Sequence, residues 1–307
     1  MAVHCLVRSC FSLLQGTMTP DVLVRNAQEL GYSAVALTDR NRLYGVPDFI
    51  KATNKYHLKP ILGIELDVKI ENSVYPFLLL AKDDEGYKGL MRLSTKIACE
   101  PFMVTLDDIA LFKEHLWVVV FGEGGLLEEA MIKDDRSRIG EWIRQLKQQF
   151  PMLLVGCSYE EAPFWHQRND VLRELCKNIG VRTLALSKVY YSVRSDETAF
   201  RVLNAIGTQQ TLADKNLPVF DGRWMLSPSE MSHLYPADEL ALSDEIAAAC
   251  HYSFNPAGAH LPKFTIPGKL DAKQYLTQLC LQGLKKRLDN ENMDPVYLNR
   301  LKSELDI

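Results

Sequence analysis

The chain is 307 residues long, carries 35 Lys and Arg against 39 Asp and Glu for a net charge of −4, and is 47% hydrophobic. This length supports a large core, or one large domain and the beginning of another. The mild acidity excludes a global basic field that would hold the chain on nucleic acid. The longest apolar runs, such as 116–121, are too short to span a bilayer, and Arg8, Ser9 and Cys10 interrupt any signal-peptide core, so a cytoplasmic location is expected. Seven cysteines are scattered without a CxxC pair, which fits reduced structural thiols better than a disulfide frame or a zinc site.

In chain order, seven short apolar runs alternate with helical patterns. The strands are expected at 3–7, 34–37, 60–67, 75–81, 116–121, 152–157 and 182–186. Their near-continuous apolar composition suggests strands covered on both faces, as in a parallel or mostly parallel sheet. Between them, Thr19-Pro20-Asp21 opens a helix with a cap and a first-turn proline, and Gly31 closes it. Thr105-Leu106-Asp107-Asp108 is an acidic variant of the capping box, and 163–179 carries Trp165, Val171, Leu172, Leu175 and Ile179 at helical spacing. This alternation argues for a βα barrel or a doubly wound sheet.

After Tyr191 the pattern becomes helical and loop-rich. Helices are expected at 196–206, after the Ser227-Pro228-Ser229-Glu230 capping box, and at 240–251. Residues 253–269, with Pro256, Gly258, Pro262, Pro267 and Gly268, read as a linker. Beyond it Tyr275, Leu276, Leu279, Cys280 and Leu284 line one helix face, and Asp294-Pro295 starts a last helix. That helix stops at Ile307 without a tail, so a truncated chain is expected. The domains read as 1–252 (a barrel to about 192, then a helical extension), a linker at 253–269, and a helical segment at 270–307. No internal repeat or low-complexity stretch is evident.

Two acids, Asp39 and Glu65, fall on adjacent strands of a β-α-β unit, and strand ends are where α/β folds place chemistry. The surrounding residues carry a family resemblance. Leu37-Thr38-Asp39 with Leu43-Tyr44-Gly45, then Lys59-Pro60-Ile61-Leu62-Gly63, resembles the passages "LTDHxxxxG" and "KPIxG" of the PHP (polymerase and histidinol phosphatase) domain. The version it resembles opens the alpha subunit of bacterial DNA polymerase III. Leu79-Leu80-Ala81-Lys82 with Gly86-Tyr87 and Leu90, Leu261-Pro262-Lys263-Phe264, and Arg300-Leu301-Lys302-Ser303-Glu304-Leu305 are similar to later passages, in the same order. The resemblance implies an α/β fold: a distorted seven-stranded βα barrel followed by a mostly helical segment, with residues 270–307 at the start of the palm.

In working members of the family, histidines and carboxylates hold two or three divalent ions that activate water against a phosphate ester. The resemblance places those ligand positions at Leu6, Arg8, Asp39, Arg40, Glu65, Pro76, Lys188 and Tyr190. Asp39 and Glu65 alone keep ligand-type side chains, which is a poor site for zinc or manganese, so neither a metal nor a catalytic residue is expected here. Arg8, Arg40 and Lys188 bring positive charge to a cleft that has lost its cations. Either these side chains replace the metals electrostatically against Asp39 and Glu65, or they point to solvent. His4 lies outside the ligand pair, and His57, His115, His166, His233, His251 and His260 lack metal spacing. Ser12 and Ser187 lack a nucleophile's partners. Gly122-Glu123-Gly124-Gly125 matches no phosphate-loop pattern and reads as a tight turn. The run Lys285-Lys286-Arg287 reads as a solvated helix face, with DNA backbone contact in a polymerase parent as the alternative.

The reading that follows is a non-catalytic module of a replicative DNA polymerase alpha subunit, with a structural and docking role. Its own cofactors are none, and the parent's palm would hold magnesium. Expected partners are the palm and thumb of the parent, a proofreading exonuclease subunit and other replisome subunits, and DNA through the parent, with no membrane. The competing reading is a metal-dependent phosphoesterase or 3′–5′ exonuclease, which requires the missing histidines. An anion-binding cleft using Arg8, Arg40 and Lys188 is a third.

Overall fold

The computed structural model describes residues 2–99, 103–159, 163–214, 222–253, 263–268, 270–288 and 294–306. The chain divides into two units, Met1–Phe254 and Asn255–Ile307. In the first, β1 (Leu6–Val7), β2 (Ala34–Leu37), β3 (Lys59–Ile70), β4 (Ser73–Ala81), β5 (Val104–Thr105), β6 (Leu116–Phe121), β7 (Leu153–Cys157), β8 (Arg182–Ala185) and β9 (Lys188–Val189) alternate with helices. The sheet runs β2-β3-β4-β6-β7-β8, with β5 on the edge of β3. Its two edges meet through a small parallel β1–β9 pair. Thr38 N–H donates to Val7 C=O at 2.9 Å, joining β1 to β2, and Leu186 N–H donates to Cys157 C=O at 3.0 Å, carrying the β7–β8 ladder on towards β9. The result is the distorted seven-stranded βα barrel that the resemblance implies.

One strand departs from a wholly parallel sheet. β4 runs antiparallel to both β3 and β6. The turn after Ile70 has only two residues, and Glu71 sits at φ 54° there. A connection that short permits only an antiparallel hairpin. β5 was not evident in the sequence because two residues carry no readable period.

Alternation along each strand divides the core. Residues such as Ala34, Ala36, Ile61, Leu78, Leu80, Val119, Phe121, Leu154, Leu184 and Leu186 fill the interior. Their neighbours pack outward: Ile64, Leu66, Val118, Val120 and Val155 against Leu90, Leu93, Ile139, Ile143, Leu146 and Leu172 of the flanking helices. Val35, Leu37 and Leu62 meet Leu23, Val24, Phe49 and Ile50 of the first two helices.

The expected helix signals are realised. Thr19 caps the helix Pro20–Glu29, and Gly31 turns out of it at φ +86°. Capping boxes at Thr105 and Ser227 start Leu106–Ala110 and Pro228–Leu234. Helices cover Pro163–Ile179, Glu197–Thr208 and Ala237–Ala249, the last beginning three residues before the expected start. The second unit holds Ala272–Arg287, capped by Asp271, and Pro295–Leu305, capped by Asp294. On the first of these, Tyr275, Cys280 and Leu284 are partly covered while Leu276 and Leu279 remain exposed. Most of the 253–269 segment, His260 and Leu261-Pro262 lie outside the described residues.

Candidate functional site

β1, β2, β3, β6 and β9 deliver their ends to one mouth of the barrel, and the residues singled out from sequence gather there. Arg8 leaves the end of β1, buried at 7% exposure, and Glu65 faces it from β3 at 3%. The pair is bidentate: Arg8 Nε donates to Glu65 Oε2 and Arg8 Nη2 to Glu65 Oε1, both at 2.8 Å. The planar fork matches the carboxylate geometry, which makes this the strongest type of protein ion pair. Arg8 Nη1 donates to Gln15 Oε1 at 3.1 Å, and the guanidinium lies over the Tyr190 ring, 4.4 Å from its centre. Burial disfavours the Arg8 charge, and the surrounding Tyr190, Glu65 and Asp39 more than offset it, so its pKa rises above the ordinary value. Burial pushes the Tyr190 hydroxyl up as well.

Arg40 sits further out. It donates through Nη2 to Asp67 Oδ1 at 2.8 Å and stands 3.6 Å from Glu65 Oε1. Asn41 Nδ2 donates to the other Asp67 oxygen, while Asp67 N–H donates back to Asn41 Oδ1, both at 2.8 Å. Asp67 lies two residues beyond Glu65, on the same face of the strand.

Asp39 is held differently. Oδ1 accepts from Ser9 N–H at 2.7 Å and from Ser12 Oγ–H at 2.6 Å, and Oδ2 accepts from Ser9 Oγ–H at 2.8 Å. Ser12 Oγ also accepts the Arg40 backbone N–H at 3.0 Å. Burial raises the Asp39 pKa, and the Ser12 and Ser9 hydrogen bonds and the Arg8 charge work against that rise. The loop that supplies the hydroxyls is folded tightly on itself: a Cβ on Gly16 would stand 2.3 Å from the Ser9 carbonyl oxygen.

Lys188, buried on β9, does not meet Asp39 or Glu65. Its Nζ forms an ion pair with the Glu123 carboxylate and donates to the Glu123 backbone carbonyl at 2.8 Å. Arg223 Nη2 binds the other Glu123 oxygen at 3.0 Å. Burial, then the neighbouring Arg223 charge, lower the Lys188 pKa well below the ordinary ammonium value. Leu6, opposite Lys188 in the ladder, is fully buried in the interior cluster. Pro76 lies on β4 opposite Asp67, with no donor to offer.

The charge-replacement expectation is therefore corrected in part. Arg8 and Arg40 do neutralise Glu65, but Lys188 belongs to Glu123, and serine hydroxyls rather than a cation hold Asp39. The expectation that these side chains point to solvent fails for Arg8 and Lys188, both buried. Sequence reading missed Ser9, Ser12, Asp67, Glu123 and Arg223. Asp67 was legible from strand period and Glu123 from its place after β6, whereas nothing local marks Arg223.

These residues do not fit the metal centre held by working members of the family that the chain resembles. Both Glu65 oxygens are engaged by Arg8, and both Asp39 oxygens accept hydrogen bonds. Among the described residues no group of three or more His, Cys, Asp or Glu is placed to hold an ion. Divalent metals of this class need several free oxygen, imidazole or thiolate donors. Burial pushes the Cys5 and Cys176 thiols up to about 12, while Cys10 stands at the mouth, lining the groove there. Beside the mouth lies an open groove of about 810 Å³, lined by Phe11, Ser12, Leu13, Arg40, Arg42 and Tyr44 among others.

Residues 4–155 match the PHP domain family. The chain is 32% identical over 321 residues to DNA polymerase III subunit alpha of Bacillus subtilis (strain 168), covering 99% of this chain and 28% of that protein. It is 27% identical to the protein of the same name in Aquifex aeolicus, over 99% of this chain and 29% of that one. An error-prone DNA polymerase of Cutibacterium acnes is 27% identical over 99% of the chain and 28% of that protein. The chain thus spans less than a third of the length of these relatives. Among solved structures, an amidohydrolase from Chromobacterium violaceum aligns with a TM-score of 0.47 at 12% identity, covering 62% of this chain and 88% of that one. No described helix is long and apolar enough to cross a membrane. Through residues 4–155 the chain belongs to the PHP domain family, and along 99% of its length it is a relative of the alpha subunits of DNA polymerase III.

Proposed function

We propose that this chain is the PHP region of a replicative DNA polymerase alpha subunit, working in the cytoplasm as a structural and docking module rather than as a phosphoesterase. The observation that carries this reading is the engagement of both Glu65 oxygens by the buried Arg8 guanidinium. The guanidinium takes two of the roughly four lone-pair sites of the carboxylate and seats a positive charge where an ion would have to stand. With side-chain ion pairs in place of metals, the mouth serves as a rigid platform on which the rest of the polymerase, a proofreading exonuclease subunit and other replisome subunits assemble. In this reading the chain carries no cofactor of its own, and the magnesium chemistry of nucleotidyl transfer resides in the parent's palm, where DNA is bound. The same ion pairs count against an anion-binding cleft, because Arg8 and Arg40 already face carboxylates. A phosphodiesterase assay with bis(p-nitrophenyl) phosphate, in added zinc and in added manganese, tests the proposal. No turnover above buffer is expected, and metal-dependent turnover abolished by Asp39→Asn would overturn it.

A further inference from the structure

The barrel is closed by very little backbone where the first strand joins it. β3 and β4 share an unbroken register from Gly63↔Leu80 to Ile70↔Ser73, while β1 contributes two residues to its ladder with β9. Across the other side of β1, towards β2, the backbone supplies the bond from Thr38 N–H to Val7 C=O. Side chains supply the rest. Thr38 Oγ accepts from Val7 N–H at 2.7 Å and donates to Val7 C=O at 3.1 Å. Asp39 binds Ser9 twice and Ser12 once, and Arg8 reaches past β2 to Glu65 on β3.

We propose that Thr38, Asp39, Arg8 and Glu65 form a side-chain clasp that replaces the missing ladder at the β1–β2 seam, so that the barrel opens there without unfolding elsewhere. The inference rests on reading the mouth as an ion-pair network, and it assigns that network a mechanical role. The loop beyond β1 moves with it as one body, because Cys10 N–H donates to Met18 C=O at 2.7 Å, and Ser12 and Gln15 N–H groups donate to Ser9 and Ser12 carbonyls. On the far side this body stays attached to β9: Arg8 N–H donates to Val189 C=O at 2.9 Å and Thr17 N–H to Tyr190 C=O at 3.0 Å. Opening therefore separates β1 from β2 and β3, not from β9.

Native-state hydrogen exchange on the full chain tests this, comparing wild type with Ser12→Ala and Arg8→Met, each with and without EDTA. The N–H groups of Val7, Ser9, Thr38 and Arg40, all bonded across the seam, are expected to share one opening. That opening should cost less than the opening of β4 and β6, with Arg8 and Thr17 protected for longer. Either substitution should speed the four seam amides about tenfold or more, the size of one lost charge-assisted hydrogen bond, with the seam still opening at lower cost than β4 and β6. If the seam amides of wild type exchange together with β4 and β6, or if neither variant speeds them, the clasp is wrong and the reading of the mouth survives. If EDTA alone speeds them in wild type, a bound metal holds the seam and both ideas fall. Ser12→Ala removes one hydroxyl and keeps the experiment readable even if Arg8→Met fails to fold.

Discussion

At the scale of single residues, Arg8 and Glu65 show how much depends on removing one partner rather than both. Arg8→Met leaves Glu65 buried and uncompensated except by the more distant Arg40, and should cost about 3–5 kcal/mol of stability. Arg8→Met combined with Glu65→Leu replaces the pair by apolar volume and should recover most of that loss. Urea denaturation of the two variants checks this, and a double variant no more stable than Arg8→Met would contradict it. His4 offers a second test. It is buried, its Nε2 faces the Leu226 carbonyl at 2.9 Å and the Tyr32 hydroxyl at 3.0 Å, and burial lowers its pKa to about 4. Because the folded pKa lies below the unfolded value of about 6.5, the unfolded chain takes up the proton first as pH falls. The contribution is complete above pH 6.5, is lost between there and about 4, and amounts to roughly 3 kcal/mol. His4→Phe should flatten the stability profile in that window, and an unchanged acid slope would contradict the assignment. The residue scale is also where sequence reading was weakest. Asp39 and Glu65 could be found from strand position, and Arg8 and Arg40 from the resemblance, but Ser9 and Ser12 could not, because they reach Asp39 only through the closure of the barrel.

At the scale of elements, local signals were mostly legible, because caps and turns depend on residues within one turn of each other. Ser227 accepts the Glu230 N–H while the Glu230 carboxylate accepts the Ser227 N–H at 2.7 Å. Ser227→Ala should cost about 1 kcal/mol, measurable as a small drop in the urea midpoint. Close approaches of backbone gave no such signal. Gly63 lies where β3 crosses the interior, and a Cβ there would meet the Leu79 carbonyl oxygen and Leu80 Cδ2 at 2.7 Å and Thr38 Cγ2 at 2.8 Å. Gly63→Ala should therefore destabilise the barrel far more than Ser227→Ala, since two of these contacts are a neighbouring strand's backbone and a threonine methyl already fixed by its own hydrogen bonds. The antiparallel course of β4 escaped for a related reason. A buried strand reads as continuously apolar in either direction, and only the two-residue link after Ile70 betrays the hairpin.

At the scale of the whole molecule, strand–helix alternation and the ordered motifs made the barrel and its family legible, while the pairing of charges across the mouth was not. The arrangement balances itself: Arg8 and Arg40 against Glu65 and Asp67, Lys188 and Arg223 against Glu123, and Asp39 against hydroxyls. On the proposed reading, such a network needs no ion to offset the buried carboxylates. Elemental analysis of the purified 307-residue chain, after dialysis against zinc and manganese, tests that claim most directly. Less than a tenth of an equivalent of either metal is expected, in wild type and in Asp39→Asn alike. One equivalent or more in wild type, lost in Asp39→Asn, would show that the mouth is a metal centre and that the ion pairs described here give way to it.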